Sequence, residues 1–171
     1  SYGSVGCLDL FTKGDVTISG TGSLALTCNR QGEVNGVINT YGNLIIKDAA
    51  ISITCPETNN VSVAISSADG SITFDNADVT VRSVDGVNTS GNANTLYRAI
   101  YAANGDLNIV NGSNLDMQVD LFSTGPVVGV SGSVNISDSD VDIRSNGWSI
   151  FSSATVVNLT YTNGAEGKTS T

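Results

Sequence analysis

Short segments in which apolar and polar residues alternate recur along the whole chain, and each begins just after a glycine. The repeating unit is a glycine, a polar residue and an apolar–x–apolar segment. A turn rich in Asn, Asp and Gly follows, and then a second apolar–x–apolar segment. Copies of this unit start at Gly14, Gly42, Gly70, Gly105 and Gly132. A period of two places successive side chains on opposite faces, which indicates β-strands with one buried face.

The glycines recur about every 28 residues, with one longer interval of about 35. A third apolar segment precedes each glycine, so every period holds three short strands. A hairpin stack or a sandwich would also alternate, but it would not repeat one three-strand unit. The pattern therefore predicts an all-β fold, a right-handed parallel β-helix (solenoid) of about six coils in which equivalent residues stack.

Stacking of equivalent positions predicts the core as four rows of inward-facing residues, two for each of the two strands after the glycine. A further row of turn residues, which tolerate left-handed backbone, is interpreted as a structural ladder. The four core rows are Val16, Leu44, Ile72, Leu107 and Val134; Ile18, Ile46, Phe74, Ile109 and Ile136; Leu24, Ile51, Val79, Leu115 and Val141; and Leu26, Ile53, Val81, Met117 and Ile143. The turn row is Gly20, Asp48, Asn76, Asn111 and Asp138.

The composition of the chain excludes several classes of function and partner. The chain has 171 residues, a net charge of −9 and no histidine. The negative charge argues against nucleic acid as a partner and against binding to anionic lipid. The missing histidine excludes Ser-His-Asp and Cys-His catalysis and histidine-ligated zinc. No apolar stretch is long enough to span a membrane, so no membrane insertion is predicted.

One β-helix module is predicted over residues 1–163, followed by a polar tail over 164–171. We expect the module to be part of a larger protein whose neighbouring domains are its partners. Cys28 and Cys55 occupy equivalent positions one coil apart and are predicted to point inward. The spacing of stacked strands is compatible with a disulfide between them, although two buried thiols are slightly favoured.

The glycine unit, written G-[DNS]-apolar-x-[IF]-x-[GDN], carries a family resemblance, together with preceding strands such as residues 98–102. The chain resembles the parallel β-helix repeats of secreted and surface proteins of Gram-positive gut anaerobes, which are often described as carbohydrate-binding. The resemblance implies an extracellular or cell-surface location and a polysaccharide partner. It is specific for the fold and says less about function, because β-helices also form lyases, tailspikes and adhesins.

Carboxylates and arginines occupy equivalent outward positions on the second strand of the unit. Stacking would place Asp116 and Asp142 about 5 Å apart. Two carboxylates at that distance share a cation, pair with arginine or raise one pKa. The simplest interpretation is that Arg82 and Arg144 neutralise them; the alternatives are a calcium site or a catalytic carboxylate pair. The predicted calcium ligands are Asp116, Asp138, Asp140 and Asp142, and no other cofactor is predicted.

The longest loop, Ser83 to Tyr97, is an insertion relative to the other coils. Insertions in repeat proteins often lie on the binding face, and amides, aromatic rings and arginine suit a sugar platform. The alternative is a polar loop that binds nothing. The predicted polysaccharide-binding residues are Asp85, Asn88, Asn92, Asn94, Tyr97, Arg98 and Tyr101, together with Arg82 and Arg144.

The favoured function is a non-catalytic extracellular module that binds polysaccharide or forms part of an adhesin. One alternative is a structural stalk without a ligand. Another is a polysaccharide-degrading enzyme, which would need clustered carboxylates or calcium beside a basic side chain.

Overall fold

The computed structural model describes residues 8–10, 13–27, 36–55, 63–83, 98–119, 126–145, 148–153 and 157–160. This part of the chain consists of seventeen short strands and contains no helix. The strands are β1 (Leu8–Leu10), β2 (Val16–Ser19), β3 (Ser23–Thr27), β4 (Ile38–Thr40), β5 (Leu44–Lys47), β6 (Ala50–Cys55), β7 (Val63–Ser67), β8 (Ile72–Asp75), β9 (Asp78–Ser83), β10 (Arg98–Ala102), β11 (Leu107–Val110), β12 (Asn114–Val119), β13 (Pro126–Val130), β14 (Val134–Ser137), β15 (Asp140–Ser145), β16 (Trp148–Ser152) and β17 (Val157–Thr160).

Each strand pairs in parallel with the strand three places further along the chain, so three sheets run the length of the molecule. Sheet A has the order β1-β4-β7-β10-β13-β16, sheet B β2-β5-β8-β11-β14-β17 and sheet C β3-β6-β9-β12-β15. Three consecutive strands therefore complete one coil. The described residues form five coils and two strands of a sixth, which confirms the predicted parallel β-helix. Because the described residues contain no helix, they include no helix that could span a membrane.

The predicted core rows are confirmed both in register and in burial. Leu44, Ile72 and Leu107 lie opposite one another in sheet B, and Ile53, Val81 and Met117 do so in sheet C. These side chains are fully buried, because a coil has no interior other than the space between its three sheets. The equivalent residues of the first coil and of β15 are partly exposed, and among the described strands each of them is paired on one side only.

The glycine that opens each unit is required by the close approach of stacked backbones. A Cβ atom on Gly42 would lie 2.5 Å from the carbonyl oxygen of Gly14, and one on Gly132 would lie 2.7 Å from that of Gly105. The sequence predicts these residues as turn glycines. Their φ values are not in the left-handed region, however, so space between coils is the reason for glycine here, rather than the turn.

The polar residue after each glycine links successive coils. Asp15 Oδ1 accepts the backbone N–H of Asn43 at 3.1 Å, and Asn43 Oδ1 accepts that of Ser71 at 2.8 Å. Ser71 Oγ then accepts the N–H of Asp106 at 3.0 Å, and Asp106 Oδ1 accepts that of Ser133 at 2.7 Å. The preference for Asp, Asn or Ser follows, because each of these side chains is short and carries an oxygen acceptor.

The predicted turn row is a structural ladder of left-handed residues. Asp48, Asn76, Asn111 and Asp138 have φ between 50° and 57°, and the first member of the row is Gly20. The Asn76 amide donates to Asp48 Oδ1 at 2.8 Å across the coils. Asn and Asp tolerate this backbone region better than other non-glycine residues, so the composition of the row follows from its geometry.

Cys55 is buried in the core at the end of β6, as predicted. Cys28 lies outside the described residues.

Candidate functional site

The outward face of sheet C carries the arginines and carboxylates singled out in the sequence. Asp116 on β12 lies in register between Thr80 on β9 and Asp142 on β15. Arg82 on β9 donates through Nη1 to the Asp116 carbonyl oxygen at 2.8 Å and through Nη2 to the Asp116 carboxylate. Both side chains are about one-third exposed. Arg82 therefore neutralises Asp116, as the sequence predicts.

Asp142 is neutralised by Arg144 on its own strand. The Arg144 Nε atom donates to Asp142 Oδ2 at 3.0 Å, and Nη2 donates to the same oxygen. The Arg144 hydrogen bonds hold the pKa of the Asp142 carboxyl below its ordinary value, and Arg82 adds a weaker effect in the same direction. Asp142 is therefore ionised at neutral pH. The simplest interpretation of this face, arginines neutralising two stacked carboxylates, is confirmed.

The four predicted calcium ligands lie on three separate pieces of the chain. Asp116 is on β12, Asp138 is in the left-handed turn before β15, and Asp140 and Asp142 are on β15. Among the described residues, no three acidic, histidine or cysteine side chains are grouped closely enough to hold a metal ion. Calcium binding stays a prediction that solution measurements must test.

The outward face of sheet B is occupied by its own hydrogen bonds. The Asn158 amide donates to Asn135 at 2.7 Å, Asn135 donates to Asn108 at 2.9 Å, and Asn108 donates to Thr73 at 3.3 Å. This row runs through four successive coils on β8, β11, β14 and β17. Its side chains bond to one another and thereby fix the stacking of the coils.

At the end of β8, Asp75 accepts two hydrogen bonds from neighbouring coils. The Lys47 ammonium donates to its Oδ2 at 2.9 Å, and the Asn111 amide donates to its Oδ1 at 2.7 Å. Both bonds favour the ionised carboxylate, so they lower the pKa of Asp75, with Lys47 the larger cause. The same ion pair raises the pKa of Lys47. Asp75 thus joins three consecutive coils.

Acid should lower the folding stability of the protein, because it protonates Asp75. A lowered carboxyl pKa stabilises the fold above the unfolded-state pKa of 3.8, and the contribution is lost as the pH falls through the lowered value. We expect the urea midpoint to fall between about pH 5 and about pH 2. Asp75→Asn should lower the midpoint at neutral pH and flatten this decline. Asp69→Asn is the control. It also removes one carboxylate charge, but Asp75 keeps its bonds to Lys47 and Asn111. Equal pH dependence in Asp75→Asn and the parent protein would contradict the assignment.

On the outward face of sheet A, an arginine is stacked on a tyrosine. The Arg98 guanidinium carbon lies 4.4 Å from the ring centroid of Tyr101, three residues further along β10. Gly129 on β13 is the register partner of Tyr101. A Cβ on Gly129 would lie 3.1 Å from Arg98 Nη1 and 3.2 Å from Arg98 Cδ, so Arg98 extends across the space left by the missing side chain.

An exposed phenylalanine continues this face. Phe151 on β16 is the register partner of Gly129, and its side chain is 47% exposed. The outward row of sheet A thus runs from Tyr101 through the Arg98-filled position at Gly129 to Phe151. Gly129 and Phe151 were not among the predicted site residues. An alignment of the outward positions of the third strand across coils would have grouped them with Tyr101.

The predicted polysaccharide site is divided between two sheets. Arg98 and Tyr101 lie together on sheet A, whereas Arg82 and Arg144 lie on the outward face of sheet C, where each pairs with a carboxylate. The other predicted binding residues lie outside the described residues: Asp85, Asn88, Asn92, Asn94 and Tyr97. The face of sheet A formed by Arg98, Tyr101, Gly129 and Phe151 is called the A-face below.

Comparison of the chain with protein-family models, with curated proteins and with solved structures gives no match. The strand order and register place the chain in the class of parallel β-helix proteins. The resemblance to carbohydrate-binding surface repeats remains a prediction drawn from the glycine unit.

Proposed function

We propose that the chain is a non-catalytic extracellular module that binds polysaccharide through the A-face. The observation that best supports this is the outward row of Tyr101, Arg98 and Phe151, with nearly half of the Phe151 side chain exposed. Flat aromatic and guanidinium groups offer an apolar surface with polar edges, and a sugar ring presents the matching C–H faces and hydroxyls.

The other two outward faces support binding less well. On sheet B the asparagine row bonds to itself, and on sheet C the arginines bond to Asp116 and Asp142. A ligand on either face would have to compete with these existing contacts. The A-face has an exposed aromatic ring, Phe151, and a cation stacked on a second ring.

Electrostatics on sheet C support a non-catalytic role. A glycosidase acid needs a carboxyl that keeps its proton near neutral pH, which requires a raised pKa. The pKa of Asp142 is instead lowered by Arg144. Its in-register neighbour Asp116 is bonded to Arg82. A lowered pKa makes Asp142 a poor proton donor, so this pair is better suited to holding coils together than to hydrolysis.

A structural stalk is the second candidate, and the side-chain ladders favour it. Two ladders together link every described coil to the next. One is the row of acceptors from Asp15 to Asp106, and the other is the row of amides from Asn108 to Asn158. Such links suit a rod that transmits force between neighbouring domains. This function needs no ligand, so a binding measurement separates it from the first candidate.

The test is a glycan-array screen with calcium and again with chelator, followed by titration of the best ligand. We expect calcium-independent binding that Tyr101→Ala weakens about tenfold, because the variant removes the ring beneath Arg98. Tyr41→Ala is the matched control: Tyr41 is 43% exposed but lies in the turn between β4 and β5, away from the A-face.

Three results would revise this proposal. Equal loss of binding in the Tyr41 and Tyr101 variants would remove the A-face as the site. Binding that chelator abolishes would point instead to the face of Asp116, Asp138, Asp140 and Asp142. No binding to any glycan would favour the structural stalk.

A further inference from the structure

Two Asn–Gly pairs lie within the described residues, and they differ in whether the glycine nitrogen is hydrogen-bonded. Asparagine before glycine is the pair that loses its side-chain amide most readily, because glycine has no Cβ to hinder attack by its own backbone nitrogen. At Asn111–Gly112 that nitrogen is engaged, since the Gly112 N–H donates to the Asp138 carbonyl oxygen at 2.8 Å. At Asn104–Gly105 the Gly105 N–H donates no hydrogen bond within the described part of the chain.

Asn104 holds one corner of its coil to the coil before it. It is exposed and lies between β10 and β11, and its side-chain amide donates to the Ala68 carbonyl oxygen at 2.9 Å and to Asp69 Oδ1 at 3.1 Å. The next residue, Gly105, lies against the backbone of Gly70, where a Cβ would be 2.3 Å from the Gly70 carbonyl oxygen. A chemical change at Asn104 therefore acts where two coils are in close contact.

We propose that Asn104–Gly105 is a site of spontaneous deamidation, and that this modification loosens the contact between the coil of β10–β12 and the coil of β7–β9. The Gly105 nitrogen loses its proton and attacks Cγ of Asn104, which forms the N–C bond of a succinimide ring. The Cγ–Nδ2 bond breaks, and Nδ2 leaves as ammonia with that proton. Water, the one co-reactant, then opens the ring at either carbonyl to give aspartate or isoaspartate.

Both products disturb the corner that Asn104 holds. An aspartate side chain replaces the amide donor by a carboxylate that faces the Ala68 carbonyl oxygen and the Asp69 carboxylate, so two hydrogen bonds become repulsive contacts. Isoaspartate also lengthens the main chain by one methylene group immediately before Gly105, where the stacked backbones leave no room for a Cβ.

Peptide mapping by mass spectrometry measures the conversion at each asparagine, in folded protein kept in mildly alkaline buffer and in a second sample kept in urea. In the folded protein we expect Asn104 to be converted at least about fivefold faster than Asn111, because the Gly112 N–H must first give up its hydrogen bond. In urea the two rates should converge. Asn35, Asn146 and Asn163 also precede glycine but lie outside the described residues, and the map measures each of them separately.

Variants test the effect of the modification on stability. Asn104→Asp reproduces the aspartate product, and Asn104→Ala is the matched control, since it loses the same two hydrogen bonds without adding charge. We expect the urea midpoint to fall further for Asn104→Asp than for Asn104→Ala. Adding Asp69→Asn should recover most of the loss in Asn104→Asp, because the exchanged pair again has one donor and one acceptor, and it should recover none in Asn104→Ala.

Two results would overturn the proposal. Equal conversion of Asn104 and Asn111 in the folded protein, or no conversion of Asn104, would show that the unbonded Gly105 N–H does not direct the reaction. An Asn104→Asp protein as stable as the parent would show that the modification leaves the contact between the two coils unchanged.

Discussion

Replacing Gly105 by alanine should destabilise the protein by about 3 kcal/mol, the upper range for overpacking a site that cannot relax. A Cβ there would lie 2.5 Å from Ser71 N and would also contact the backbone of Gly70. Both obstacles are main chain of the preceding coil, so the two coils must separate where strands β8 and β11 pair. Urea unfolding followed by circular dichroism measures the loss.

Gly22→Ala is the control for Gly105→Ala, because a Cβ on Gly22 would meet no atom within 4 Å and its φ is not left-handed. This control should change stability by less than about 0.5 kcal/mol. A Gly105→Ala protein as stable as Gly22→Ala would show that the coils are spaced more loosely than the stacked glycines indicate. If Gly105→Ala does not fold at all, Gly42→Ala tests the same contact nearer the end of the rod.

Replacing Phe74 by alanine should cost about 4 kcal/mol, the range for removing a buried aromatic side chain. Phe74 is fully buried and lies in register between Ile46 and Ile109. Its removal leaves a cavity in the middle of the rod, where three sheets and two neighbouring coils hold the surrounding side chains in place. The free energy of unfolding, extrapolated from denaturant titration, measures this cost.

Leu159→Ala is the control for the Phe74 variant, since it lies further along the same row of sheet B but is 57% exposed. We expect it to cost less than about 1 kcal/mol. Equal losses in the two variants would mean that the rod unfolds from its end and that its central core contributes no more than its last coil. A gradual unfolding transition would also report such independent coils.

The coil architecture was predictable because each strand is encoded by a short local pattern and the same pattern recurs in every coil. Alternation in residues 14–18 defines one strand, and the same pattern after Gly42 and Gly70 fixes both its neighbour and their register. A one-residue slip would expose Leu44 and Ile72 together, so hydrophobic burial allows one alignment only. The reason for the glycines was not predictable, because a turn and a close backbone contact select the same residue.

The A-face was only half predictable. Arg98 and Tyr101 are near each other in sequence, and both were predicted as binding residues. Their arrangement depends on Gly129, which belongs to the next coil and contributes a missing side chain instead of a functional group. The separation of Arg82 and Arg144 from Arg98 also follows from which sheet each strand joins. Arg82 and Arg98 are separated in sequence by the Ser83–Tyr97 loop alone, and this closeness does not show that they lie on different sheets.

The acceptor ladder after the glycines has a consequence for how such a chain can change in evolution. Asp15 accepts the N–H of Asn43, which in turn accepts the N–H of Ser71. Deleting residues 42–69 would bring Ser71 opposite Asp15 and offer the same backbone donor to the same carboxylate. Recombination that gains or loses one whole coil therefore preserves every contact of this kind, whereas an insertion of any other length within a strand breaks one.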